Sequence, residues 1–115
     1  METITDLIKN QPIPKMVRIR QNFDRSCIPV GDIASTVQKE LDREDLGGKI
    51  RPGMKIAITC GSRGMTNNAL MARAMVDFVK SKGAEPYIVA AMGSHGGATA
   101  GGQTQILKDY GITEE

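Results

Sequence analysis

The chain has 115 residues, of which 40% are hydrophobic, 24% charged and 3% aromatic, with a formal net charge of +2. That length allows one domain with one core. The small, dispersed charge and the missing Trp exclude a nucleic-acid surface or a base-stacking platform, and no apolar stretch approaches the roughly 18 residues of a membrane span. Two cysteines, Cys27 and Cys60, lack the density of a disulfide scaffold and any Cys-x-x-Cys spacing. With no basic region and apolar core at the N-terminus, the expected setting is the cytoplasm.

Residues 1–14 are weakly patterned and end in Gln11-Pro12-Ile13-Pro14, where the prolines oppose both helix and central strand. They read as an arm or edge segment, and residues 15–115 as the domain proper. Residues 15–21 alternate polar and apolar side chains, with Met16 out of phase, and form the first expected strand. A helix is expected from about Asp32 as N-cap, with Ile33, Val37 and Leu41 as its apolar stripe. It stops before Gly47-Gly48, and Arg51-Pro52-Gly53 turns the chain into a second strand at 54–60.

That strand runs into Gly61-Ser62-Arg63-Gly64, after which Thr66, Asn67 or Asn68 can cap a second helix. Leu70, Met71, Ala74, Met75, Phe78 and Val79 mark its buried face, and Lys80, Lys82 and Gly83 its end. A third strand is expected at 87–92. It breaks into Gly93-Ser94-His95-Gly96-Gly97 before a last helix from about Ala100 to Asp109, closed by Gly111. Strand–helix repeated three times predicts an α/β fold: a small parallel sheet with helices on its faces, three-layered and Rossmann-like in the order βαβαβα. Three strands make a small sheet, so the domain is expected to be the N-terminal part of a larger two-domain protein.

The two glycine loops rhyme. Each follows a strand's carboxyl end with a glycine, a hydroxyl, a basic side chain and a glycine. In an open parallel sheet, ligands sit outside the carboxyl ends of the strands, so Arg63 and His95 should face one crevice. The guanidinium fork matches a carboxylate or phosphate with two parallel hydrogen bonds. Ser62, Ser94 and the amides of Gly61, Gly93, Gly96 and Gly97 can hold anion oxygens near helix N-termini. His95, the single histidine, is the side-chain type suited to exchanging a proton near neutrality. Substrate binding thus falls to Ser62 and Arg63 and proton exchange to His95, with the glycines and Ser94 placed to hold phosphate oxygens. Neither loop is a Walker A sequence or a dinucleotide fingerprint. Cys60 at a strand end is a further conceivable nucleophile. Without chemistry the same loops would serve a phosphate or small-anion binding module, or a partner-docking domain.

From about Asp32 onward the chain resembles the N-terminal domain of the nickel-dependent lactate racemase family and its relatives. The resemblance is carried by Ala57-Ile58-Thr59-Cys60-Gly61-Ser62-Arg63-Gly64 and Ala91-Met92-Gly93-Ser94-His95-Gly96-Gly97-Ala98-Thr99. The family's loops read Asp-x-Thr-Arg-Pro and Gly-Thr-His-Arg. Ser62 and Arg63 match the threonine and arginine of the first; Gly93, Ser94 and His95 match the start of the second. Cys60, Gly64 and Gly96 depart from the aspartate, proline and arginine, which leaves the substrate open.

The resemblance implies isomerisation of a 2-hydroxy acid, a racemase or epimerase reaction, through a nickel pincer nucleotide. A histidine removes the hydroxyl proton while hydride passes to the cofactor and returns on the opposite face. His95 would be one of two proton-exchanging histidines, and Arg63 the carboxylate clamp. The second histidine, the nickel-ligating histidine and the cofactor-bonding lysine would belong to a C-terminal domain of the full-length chain. The 115 residues alone are then expected to be inactive and to hold no cofactor, with no nucleic acid or membrane among their partners.

Overall fold

The computed structural model describes residues 3–9, 11–12, 15–63 and 65–113. The expectations that fall on Ile13, Pro14 and Gly64 lie outside the described residues. Helix α1, Ile4–Ile8, opens on a capping box in which Thr3 and Asp6 satisfy each other's backbone amides. Helix α2 spans Ile33–Leu41 with Asp32 at its N-cap, as expected, and follows a short 3₁₀ turn at Val30–Asp32. Strand β1 is Lys55–Cys60, helix α3 Asn68–Ser81, strand β2 Glu85–Ala90 and helix α4 Ala100–Asp109.

β1 and β2 pair in parallel, Lys55 opposite Glu85 through Cys60 opposite Ala90. The intervening α3 packs on both strands and makes a βαβ unit. Ile58, Cys60, Ala72, Val79, Ala84 and Leu107 form the core between the sheet and α3 and α4. α3 is buried on a second side as well: Ala74 and Phe78 turn away from that cluster, on the helix that packs against α2 with its buried Ile33. Gly47 lets that contact close, because a Cβ there would stand 2.9 Å from the Leu41 carbonyl and 3.2 Å from the Phe78 ring. Lys82 bridges to Asp42 at 2.7 Å and covers the Phe78 ring, tying the ends of the two helices.

The structure corrects three expectations. Residues 15–21 form no strand. A strand is stable only when its backbone is paired and one face covered, and Met16, Val17 and Ile19 are exposed. The sheet of the described residues therefore has two strands, and both helices that touch it meet the same face. Leu70 is exposed, while Ala72 takes the buried position, since the sheet-facing row runs through Ala72, Met75, Val76 and Val79. The last strand lies two residues ahead of the expected 87–92, over Glu85–Ala90. Pro86 fits because the Glu85 amide already bonds to Met54, so the next residue's nitrogen points to the outer edge, where proline lacks nothing.

Candidate functional site

Both loops leave the carboxyl ends of adjacent parallel strands, and the last rung of the ladder, Ala91 amide to Cys60 carbonyl at 2.8 Å, fixes their spacing. A cleft of about 540 Å³ opens between them, lined by Gly61, Ser62 and Arg63 on one side and by Ala91 to His95 on the other. Arg63 and His95 are exposed into this space and Ser62 is buried. The structure thus brings together Gly61, Ser62, Arg63, Gly93, Ser94 and His95. Gly96 and Gly97 lie outside the lining.

The second loop is shaped by its glycines. Gly93, Gly96 and Gly97 all have positive φ, a region that side chains with a Cβ enter at a cost. Gly96 also packs against the first turn of α4: a Cβ on it would come within 2.6 Å of Gly102, and one on Gly102 would collide with the Gly96 carbonyl. Both glycines are required by this close approach of backbone to backbone. Thr99 then caps α4, its hydroxyl accepting from the Gly102 amide at 3.1 Å and donating to the Gly96 carbonyl at 3.1 Å. No family model, curated protein or solved structure matches this chain.

α4 also braces the cleft through polar side chains that its apolar periodicity does not mark. The Gln103 amide donates to the Gly93 carbonyl at 2.7 Å and to the His95 carbonyl at 3.4 Å. Seven residues on, the Tyr110 hydroxyl donates to the Ser62 carbonyl at 2.8 Å. Residues seven apart share a helix face, so this spacing was the available signal. The first loop has one more brace, Asn68 donating to the Gly61 carbonyl at 3.3 Å. Asn67, with φ of 61°, holds the N-cap position of α3 among the three candidates Thr66, Asn67 and Asn68, but its side chain makes no capping hydrogen bond.

Chemically the cleft offers one guanidinium, one imidazole, two hydroxyls and backbone amides, with no carboxylate in its lining. That donor set suits an anion. Cys60 lies beneath the first loop, and burial pushes its thiol above the ordinary range. A buried thiol held protonated is a poor nucleophile. Among the described residues no three His, Cys, Asp or Glu side chains converge to hold a metal ion, and no helix is long and apolar enough to cross a membrane.

Proposed function

We propose that the cleft binds a small anionic substrate, and that the chain is the N-terminal domain of an enzyme that isomerises a 2-hydroxy acid. The observation that carries the anion-binding reading is the convergence of Arg63 and His95, from two different loops, on one cleft without a carboxylate. The Arg63 fork holds the substrate carboxylate. The Ser62 and Ser94 hydroxyls and the Gly61 and Gly93 amides hold its remaining oxygens. His95, fixed through its backbone by Gln103, exchanges a proton with the substrate hydroxyl. The reaction class comes from the resemblance of the two loops to lactate racemases.

The nickel pincer nucleotide implied by that resemblance does not find its metal ligands here, since the described residues offer no converging ligand set. The loops suit only an anionic part of such a cofactor. In this reading the metal's ligands, the attaching lysine and the second proton-exchanging group come from a C-terminal domain. That domain joins the βαβ unit to complete a three-layer, Rossmann-like architecture, with Ala57, Thr59, Tyr87 and Val89 on the open sheet face beneath the third layer. Two unpaired thiols, Cys27 and Cys60, support a cytoplasmic setting.

Full-length protein loaded with nickel and cofactor should scramble the stereocentre of a 2-hydroxy acid, and His95→Ala should abolish that rate. An unchanged rate in His95→Ala would remove the catalytic assignment. A second reading is a non-catalytic phosphate or small-anion module, supported by the donor set of the cleft, which can bind an anion without the acid–base group on each face that inversion needs. It predicts that the isolated domain binds phosphate, and that full-length protein shows no stereochemical exchange.

A further inference from the structure

Residues 15–21, an arm that precedes α2, and the sheet edge answer one another. In the parallel ladder, backbone groups alternate between neighbour and outside. The amides of Glu85 and Ala91 bond to the carbonyls of Met54 and Cys60, which puts the N–H and C=O groups of Lys55, Ala57 and Thr59 on the outer edge of β1. Among the described residues no strand pairs with that edge. The outer edge of β2 is blunted by Pro86, which has no N–H to offer. On β1 the only charge along the edge is Lys55, at its start.

Residues 15–21 have what that edge lacks. Val17 and Ile19 fall on one face and Arg18 and Arg20 on the other. β1 is two-faced in the same way, with Ile56, Ile58 and Cys60 toward the core and Lys55, Ala57 and Thr59 away from it. Setting Arg18 opposite Ala57 brings Val17 and Ile19 beside Ile56 and Ile58 in either strand direction, and puts both arginines on the face of Ala57 and Thr59. The arm does not reach its own edge. Val17 and Ile19 are 78% and 81% exposed. The radius of gyration is 21.1 Å and the long axis 63 Å, against about 13–14 Å expected for a compact chain of this length. An alternating apolar segment that does not pair with its own sheet can add as a strand to the edge of another copy.

We propose that residues 15–21 of one copy pair with the outer β1 edge of a second copy, each lending its arm to the other. The inference stands apart from the function of the cleft.

Cross-linking between differently marked chains tests it. In a Cys27→Ala background, mixing Arg18→Cys chains with Ala57→Cys chains should give a covalent heterodimer under mild oxidation, since paired strands hold these Cα atoms about 5 Å apart, within disulfide reach. A single chain carrying both substitutions should likewise cross-link between copies. In sedimentation the chain should be dimeric. Ile19→Asp should weaken the dimer at least tenfold while the far-ultraviolet circular dichroism stays that of the folded chain, and Arg20→Ala should leave the dimer intact. An intrachain cross-link in the double variant, with a monomer in sedimentation, would mean that the arm returns to its own β1 and would overturn the exchange. A monomer with no cross-link would overturn it too.

Discussion

The Tyr110 hydroxyl donates to the Ser62 carbonyl at 2.8 Å across 48 positions of sequence. This bond ties the last turn of α4 to the loop that carries Arg63, while Gln103 on the same helix holds the loop that carries His95. One helix therefore braces both loops through their backbones. Tyr110→Phe removes only the hydroxyl. It should cost about 0.5–1.5 kcal/mol in urea unfolding and speed amide exchange at residues 61–63 while leaving the sheet protected. Unchanged exchange in that loop would mean that the bond does not position it.

Gln103→Leu makes the matching test on the other side. It leaves the Gly93 carbonyl without its side-chain partner, and about 1 kcal/mol of stability should go with it. Amide exchange should rise at residues 93–97. Gln103→Glu, which places a carboxylate against two carbonyls, should be worse than Gln103→Leu. The reverse order would show that Gln103 acts by packing.

The two thiols should behave differently. Cys27 is exposed and Cys60 buried, so an aromatic disulfide reagent should titrate one thiol at once and the second only on unfolding. Burial raises the Cys60 pKa, so the folded chain keeps that proton longer than the unfolded one. The associated stability is complete below the ordinary thiol pKa of about 8.5 and is lost as pH rises through the raised one. The stability gap between wild type and Cys60→Ala should therefore narrow above about pH 8.5. A gap that stays constant would show that the buried thiol is not linked to folding.

The α2–α3 contact should carry much of the domain's stability. Phe78 is buried beside Gly47 and beneath Lys82. Phe78→Ala should cost about 3–5 kcal/mol. Gly47→Ala, which drives a methyl toward the Leu41 carbonyl, should cost about 1–3 kcal/mol. The exposed end of the Lys82–Asp42 pair limits Lys82→Ala to about 1 kcal/mol or less. Thermal unfolding of the three variants would rank them, and a Lys82 effect larger than that of Phe78 would contradict the packing argument.

The βαβ unit and its two loops were legible because each rests on local signals. Continuous apolar runs end in glycine, and the helices repeat their apolar residues at three to four positions. Alternation at 15–21 was also plain, yet alternation states only that a segment could bury one face; it carries no information on which edge it meets, or in which copy. The displaced start of β2 shows the same limit, because Pro86 argues against a strand until the ladder shows its nitrogen pointing outward. Leu70 was misplaced because a broad helical stripe contains more candidates than one contact can bury. Gln103 and Tyr110 share a helix face at a spacing of seven, but their hydrogen bonds end on backbone carbonyls, which no side-chain pattern marks.

The most direct test of the shared cleft is a titration of the isolated chain with inorganic phosphate, followed by amide nuclear magnetic resonance. The account predicts that Gly61, Ser62 and Arg63 shift together with Gly93, Ser94 and His95, with one dissociation constant, and that Arg63→Ala weakens binding as read at both loops. Shifts confined to one loop, or two loops that titrate independently, would contradict it.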